Sequence, residues 1–370
     1  MARKTSKFRL YPNRQQQQRL TATLDACREL YNAGLQERIE AWKNRTPVRV
    51  FDQINQLPDI KQIRPDLAGV FSQVLQDTLR RLDKTYKAFF ARVQRGQKAG
   101  FPRFKGRHRY DSFTYPQSGF ALGAKLQLSK IGSIKIKQHR DIEGQIKTLT
   151  IRRQAGCWYA CFSVEYQPTK LPHNRNNIGV DVGLQAFATL SNGTRIENHR
   201  YYQAAQAKLR RAQRKVARRA NKKSKRRRKA ILLLQKAHQH VANQRKDFQH
   251  KLAYWLVKHF GMIAVEDLNI KGLSAGILAK AVHDVGWSSF RNMLAYKAEN
   301  AGRQVIKVDP KYTSQECPQC HALEKKSLSE RVHRCNCGLT IGRDHAAAFV
   351  ILGRGLRLQA LTVGQLAPVA

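Results

Sequence analysis

The sequence predicts a multidomain α/β protein, and three observations predict it. Apolar residues recur at helical spacing over roughly the first quarter. They give way to period-two alternation around residues 134–166, and short apolar strands and helical stretches then follow one another through the second half. The 370 residues have room for two or three domains of ~150 residues each, and 42% hydrophobic content suffices for packed cores.

Charge narrows the partner. Sixty-nine Lys and Arg against 25 Asp and Glu leave a formal charge of +44, which repels itself unless a polyanion covers it, so nucleic acid is the expected partner. A basic membrane-surface protein is the competing reading, but the chain has no run of ~18 apolar residues and no lipidation signal. Residues 1–10 carry charges and no apolar secretion segment, which predicts a cytoplasmic protein. Four of the seven cysteines crowd into residues 317–337, a pattern of metal binding in a reducing compartment rather than of a disulfide scaffold. Cys27, Cys157 and Cys161 are expected as buried thiols.

Asn13 is a plausible N-cap, and Leu20, Leu24, Cys27, Tyr31, Leu35, Ile39 and Trp42 follow at steps of three and four, predicting one long amphipathic helix. Leu67, Phe71, Val74, Leu75, Leu79, Leu82, Tyr86, Phe89, Phe90 and Val93 repeat the pattern, so residues 13–97 read as a helical unit. The opposite face, with Gln73, Gln76, Asp77 and Arg80, is either a nucleic-acid contact or a plain solvated face. From residue 98 the run Gly100-Phe101-Pro102-Arg103-Phe104-Lys105-Gly106-Arg107 interleaves aromatic and basic residues. Such a run grips phosphate and stacks on bases, with Arg103 and Lys105 as candidate contacts, unless its Phe side chains turn inward. Residues 134–137, 146–153 and 157–166 read as strands of a small sheet or barrel that the first ten residues join, the last two forming a hairpin around Gln154-Ala155-Gly156.

Residues 168–177 read as a linker. A buried strand, Ile178-Gly179-Val180-Asp181-Val182, opens a meander that continues through 187–190, a Ser191-Asn192-Gly193 turn and 194–196. Fourteen of the 22 residues from Lys208 to Lys229 are Lys or Arg, and no acid occurs from Asn198 through Lys246. Apolar positions follow at 231, 234, 241, 248, 252 and 255, so the run predicts two basic helices joined near 221–225. Arg210, Arg211, Arg214, Arg218, Lys222 and Arg226 are their candidate nucleic-acid contacts. A strand at 262–268, a helix at 287–301 and a strand at 304–309 lead into the cysteines. A helix at 343–352 and an unstructured tail are expected to close the chain.

Acids embedded in buried strands are expensive unless a cation holds them ionised. Asp181 is one, and the strand Ile263-Ala264-Val265-Glu266-Asp267-Leu268 carries two more, of which alternation admits only one to a shared face. Asp344 is the only carboxylate among residues 331–370. Three such groups converging would hold two Mg²⁺ ions ~3.5–4 Å apart for in-line phosphodiester cleavage. Cys317-Pro318-Gln319-Cys320 and Cys335-Asn336-Cys337, separated by 14 residues, predict a tetrahedral Cys₄ zinc site. The second pair is one residue short of C-x₂-C, which leaves room for His321 or His333 as a substitute ligand.

These residues resemble the TnpB family of transposon-borne RNA-guided nucleases, relatives of the type V CRISPR effectors. The likeness rests on Phe8-Arg9-Leu10-Tyr11-Pro12, Tyr86-Lys87-Ala88-Phe89-Phe90, Gly100-Phe101-Pro102-Arg103-Phe104, Gly179-Val180-Asp181-Val182-Gly183-Leu184 and Val265-Glu266-Asp267-Leu268. It continues through Gly286-Trp287, Tyr296-Lys297-Ala298, Val308-Asp309-Pro310, the cysteine ribbon and Arg343-Asp344, spanning nearly the whole chain. The resemblance implies a wedge-like β-barrel from residues 1–12 and 98–172 and a helical recognition lobe from 13–97. It further implies an RNase H-like RuvC nuclease from 173–311 and 341–370, interrupted by a zinc ribbon at 312–340, and it selects Glu266 over Asp267. The implied activity is Mg²⁺-dependent cleavage of double-stranded target DNA guided by an RNA from the transposon end. Pairing would supply sequence specificity, and the protein would read a short flanking motif, for which Gln76 is the candidate. A bacterial cytoplasmic protein, nucleoid-associated when bound to DNA, and a separate transposase of the same element complete what the resemblance implies. Gly342 and Ala346 stand where the family often has Asp and Asn, which predicts thinner support around Asp344, and His321 follows Cys320 where Gly is frequent. A nuclease-inactive RNA-guided DNA-binding repressor is the alternative, and the intact acids count against it. A DNA-joining transposase would need a tyrosine nucleophile beside paired histidines.

Overall fold

The computed structural model describes residues 1–364 other than His108, Lys222, Ser274, Ile277, Leu278 and Leu328, in two compact units that divide after Gln167. The first unit is organised by its own N-terminus. The strand Ala2–Tyr11 pairs antiparallel along almost its whole length with Cys157–Tyr166 and, at its end, with Gly132–Lys137. It therefore sits in the middle of a seven-stranded antiparallel sheet that runs Ser112–Tyr115, Gln145–Gln154, Cys157–Tyr166, Ala2–Tyr11, Gly132–Lys137, Lys125–Leu128, Phe120–Leu122. The outermost strands approach each other. Tyr115 on one edge meets Phe120 on the other edge-on at 6.3 Å, and its hydroxyl donates to the Ser129 carbonyl at 3.1 Å. The sheet is thus nearly closed, which hides edges that would otherwise offer unpaired backbone groups.

Asn13 caps the helix Arg14–Lys43 as expected, exchanging hydrogen bonds of 2.8 and 3.0 Å with Gln16 in a capping box. Leu20, Leu24, Cys27, Tyr31 and Leu35 of this helix share one apolar core with Val74, Leu75, Leu79 and Leu82 of Ser72–Gln94 and with Phe8, Phe113, Leu149 and Phe162 of the sheet. Cys27 is buried, but Cys157 and Cys161 are only half-buried, contrary to expectation. They sit on a sheet face left partly open to solvent, where Arg9 Nη2 donates to Cys157 Sγ at 3.2 Å.

The second unit is built on a five-stranded sheet in the order Arg195–Glu197, Ala186–Leu190, Asn177–Val182, Met262–Glu266, Gln304–Val308. The first three strands form the expected antiparallel meander, while Met262–Glu266 runs parallel to both of its neighbours. Side chains alternate between the faces. Ile178, Val180, Ile263 and Val265 turn toward the core shared with helices Lys225–His259 and Trp287–Ala301. Met262 and Ala264 turn to the other side, against Ile351 of the helix Arg343–Gly364. Gly179 faces that helix as well: a Cβ there would lie 2.0 Å from the Ala348 carbonyl oxygen.

The closing helix corrects one expectation. The chain does not end its order at 352 but stays helical through Gly364. Gly355 on this extension is a contact residue, since a Cβ there would lie 2.6 Å from the Ala264 Cβ. The basic run forms the two expected helices, Tyr201–Ala217 and Lys225–His259, the second capped by Ser224. The strands Val332–Arg334 and Thr340–Gly342 pair antiparallel beside the cysteines. No helix among the described residues is long and apolar enough to cross a membrane.

Gly179→Ala is expected to destabilise the second unit by about 1–3 kcal/mol in urea unfolding, because the helix backbone must move off the strand. Gly100→Ala, with nothing within 4 Å of its Cβ position, is the matched control and is expected to be near neutral.

Candidate metal centres and nucleic-acid contacts

Strand register brings the acids together. Val180 and Val265 are paired partners on adjacent parallel strands, so Asp181 and Glu266, the next residues along, lie side by side at the strand ends. Alternation turns both toward the face covered by the last helix, and Asp344 sits in the first turn of that helix. Glu266 is 8% exposed, while Asp181 and Asp344 keep part of their surfaces in solvent. Burial, then the charges of Glu266 and Asp344, push the Asp181 carboxyl well above the usual carboxylate range against a pull from Arg343. Burial also raises Glu266, opposed by a Thr313 hydrogen bond and by Arg354. Asp267 lies apart from this group. It is exposed at the surface and paired with Arg291 at 3.1 Å and Lys307 at 3.9 Å.

Thr313 and Arg354 were not legible as site residues. Thr313 Oγ1 donates to Glu266 Oε1 at 2.5 Å, and Arg354 spans from the Asp309 and Lys311 carbonyls to the Glu316 carboxylate at 2.6 Å. Neither belongs to a spaced motif, and polar residues in loops and on helix faces carry no periodic signal.

The sulfurs of Cys317, Cys320, Cys335 and Cys337 all lie within 4.8 Å of one another, with Cys317 to Cys337 at 3.7 Å and Cys320 to Cys335 at 3.4 Å. A tetrahedral ion with bonds of ~2.3 Å to sulfur has S···S edges of ~3.8 Å, so the quartet fits such a metal, whereas a disulfide needs ~2.05 Å. Burial pushes the Cys317 thiol up, but the backbone N–H groups of Cys320 and Gln319 and the His333 ring outweigh it and bring the thiol down to about 6. That environment favours the thiolate a metal requires. His333 is fully buried with Lys326 at its Nδ1, and His321 pairs with Glu316 at 2.9 Å. Neither histidine belongs to the sulfur quartet.

Arg210, Arg211, Arg214, Arg218 and Arg226 are all exposed on the basic helices, and Lys222 lies outside the described residues. Between the two helices runs a cleft of about 580 Å³ whose rim includes Lys208, Arg211, Arg214, Lys215 and Arg218 and whose floor includes Ala230 and Leu233. In the first unit Arg103 is exposed and Gln76 half-buried, while Lys105 is clamped by reciprocal backbone bonds to the Asn32 amide at 2.7 and 3.0 Å. Phe101 and Phe104 are each about half exposed, and Phe101 stands edge-on to Tyr86 and Phe89.

Family models match three segments: "Probable transposase" over residues 161–275, "Cas12f1-like, TNB domain" over 287–351 and "Helix-turn-helix domain" over 1–46. The last segment is here a strand followed by one long helix. The Escherichia coli (strain K12) protein named "Putative RNA-guided DNA endonuclease InsQ" is 33% identical over 94% of this chain and 91% of its own. The chain belongs to the TnpB family. A second relative of this TnpB chain, the "Putative RNA-guided DNA endonuclease" of Streptomyces pristinaespiralis, is 32% identical over 96% of this chain and 90% of its own. The protein in a Cas12f1–sgRNA–target DNA complex shares the fold of this TnpB chain at a TM-score of 0.56 and 15% identity, covering 90% of this chain and 81% of that one. Like its named relatives, the chain is an endodeoxyribonuclease.

The raised carboxyl of Asp181 gives a pH signature in the absence of divalent ions. A folded-state pKa above the unfolded value, about 3.9, means that the stability contributed by the neutral acid is fully present below pH 4 and is lost as pH rises through the folded value. Asp181→Asn is therefore expected to raise the melting temperature of the metal-free protein at pH 7 by about 2–4 °C, the equivalent of ~1 kcal/mol in a unit of this size, with the difference vanishing below pH 4. Thermal melts across pH check it.

Proposed function

We propose that the chain is an RNA-guided, Mg²⁺-dependent DNA endonuclease whose phosphodiester-cleaving residues are Asp181, Glu266 and Asp344. The observation that carries this reading is the gathering of these three carboxylates at one end of the second unit's sheet, where burial and the charges of Glu266 and Asp344 make ionisation of Asp181 costly. A divalent cation removes that cost, and a donor set made wholly of carboxylate oxygens suits a hard ion such as Mg²⁺. Bound there, a pair of Mg²⁺ ions would activate the attacking water and stabilise the leaving oxygen. Asp181 and Glu266 would fix the geometry from rigid strand ends, and Asp344 would close the site from the helix. In this reading the five-stranded sheet is an RNase H-like, RuvC-type core. The nearly closed sheet of the first unit is the wedge, and the helices packed on it are the recognition lobe.

The four cysteines would hold Zn²⁺ as a closed structural site, leaving no position for substrate. Guide RNA and target DNA follow from the relatives named as RNA-guided endonucleases, and the +44 charge supplies the electrostatics for both. Arg210, Arg211, Arg214, Arg218 and Arg226 would track phosphates, Arg103 and Lys105 with the half-exposed Phe101 and Phe104 would grip and stack, and Gln76 would read the flank of the target.

The test is cleavage of a guide-matched plasmid library by the protein co-purified with its flanking RNA. The wild type is expected to cut in a guide- and Mg²⁺-dependent way. Asp181→Ala is expected to lose cutting by more than about 1,000-fold, the equivalent of ~4 kcal/mol, while keeping target affinity within about threefold. Target binding by the wild type without any cutting would overturn the proposal.

A further inference from the structure

Glu266 is held by a residue from outside its own sheet. Thr313 lies in the loop between the strand Gln304–Val308 and Cys317, and at 4% exposure its side chain is buried against the candidate metal centre. Its hydroxyl is 2.5 Å from Glu266 Oε1 and 3.1 Å from the Pro310 carbonyl oxygen. A carboxylate that accepts such a bond has one oxygen engaged and its plane fixed, which leaves the other oxygen aimed at whatever cation the cluster holds.

The loop that presents the hydroxyl is anchored on both sides. Arg354 donates to the Asp309 and Lys311 carbonyl oxygens at 2.8 Å each and to the Glu316 carboxylate at 2.6 Å. Arg343, beside Asp344, donates to Ser314 Oγ at 3.2 Å and to the Ser327 carbonyl at 3.0 Å. Tyr312 takes a left-handed conformation, φ 64°, that turns the chain into place immediately before Thr313. A side chain fixed by this many bonds to main chain and side chain on either side is preorganised, so its hydroxyl does not have to be ordered when a cation arrives.

We propose that Thr313 is a positioning residue for the nuclease centre, orienting the Glu266 carboxylate for divalent-metal binding. This rests on the reading of Glu266 as a metal ligand. Because Thr313 is buried and bonded to Glu266, its removal is expected to act on metal affinity rather than on recognition of the target.

The experiment uses the full-length, zinc-loaded chain free of RNA, with Mn²⁺ binding followed by electron paramagnetic resonance, and the guide-loaded complex for target binding and Mn²⁺-dependent cutting. The variants are Thr313→Val, which keeps the shape and loses the hydroxyl, Thr313→Ser, which restores it, and Glu266→Gln. Thr313→Val is expected to weaken Mn²⁺ binding by about 10-fold or more and to shift the half-saturating Mn²⁺ for cutting by the same factor, as loss of a ligand-orienting hydrogen bond does elsewhere. Thr313→Ser is expected to stay within about threefold of wild type, and zinc content and target affinity are expected to be unchanged in both. Wild-type Mn²⁺ affinity in Thr313→Val overturns the proposal. So does loss of zinc or of target binding that Thr313→Ser fails to restore, which would make the residue a folding element. Unchanged Mn²⁺ binding in Glu266→Gln would instead remove the reading of Glu266 on which the proposal stands.

Discussion

The second unit depends on the close approach of the helix Arg343–Gly364 to the sheet. Helix and strand meet backbone to backbone at Gly179, where a Cβ would fall 2.0 Å from the Ala348 carbonyl oxygen, and nearly so at Gly355 against Ala264. Ala346, Ala347 and Ala348 are all buried. Small residues on both sides let the helix lie close to the sheet, with Asp344 at its start beside the strands that carry Asp181 and Glu266. A larger side chain at Gly179 would lift the helix start, and with it the third carboxylate.

The arrangement stores electrostatic tension. Asp181 lies in the field of Glu266 and Asp344, and burial raises both Asp181 and Glu266, which destabilises the fold unless something positive joins them. Arg343 and Arg354 supply part of that charge from one side, but their guanidinium groups are committed to the loop that leads into the cysteines. The cluster therefore stays receptive to a cation. Its construction from strand ends and a helix start also makes it rigid, so that binding of the proposed cation would require little rearrangement.

Much of this was legible in the chain, for physical reasons. The period of the apolar residues places the two long helices of the first unit, because one-sided burial imposes that period, whereas the strands around Asp181 and Glu266 stand out as short continuous apolar runs, because both of their faces are covered. An acid inside an apolar strand stands out because such burial is expensive, and the cysteine spacing maps directly onto a ligand quartet. Other features escaped. The tail after residue 352 read as unstructured, and only the proximity of Ala264 shows Gly355 to be a contact on a helix that continues. The choice of Glu266 over Asp267 needed the family resemblance, because the sequence offers two adjacent acids; the register puts the Glu266 carboxyl in the interior beside Asp181 and leaves Asp267 paired with Arg291 at the surface. Thr313 left no trace in the pattern, since its role exists only through a contact 47 residues away in sequence.

The proposed divalent-metal site shared by Asp181, Glu266 and Asp344 underlies every catalytic role assigned to this chain. The most direct measurement replaces Mg²⁺ with Fe²⁺ in the full-length protein and maps where iron-generated radicals cut the polypeptide. Three clusters of cuts, near residues 181, 266 and 344, competed away by Mg²⁺ and lost in Asp181→Asn, are what the account expects. Cuts confined to the cysteine region around 317–337, or cuts near 344 without any near 181 and 266, would contradict it.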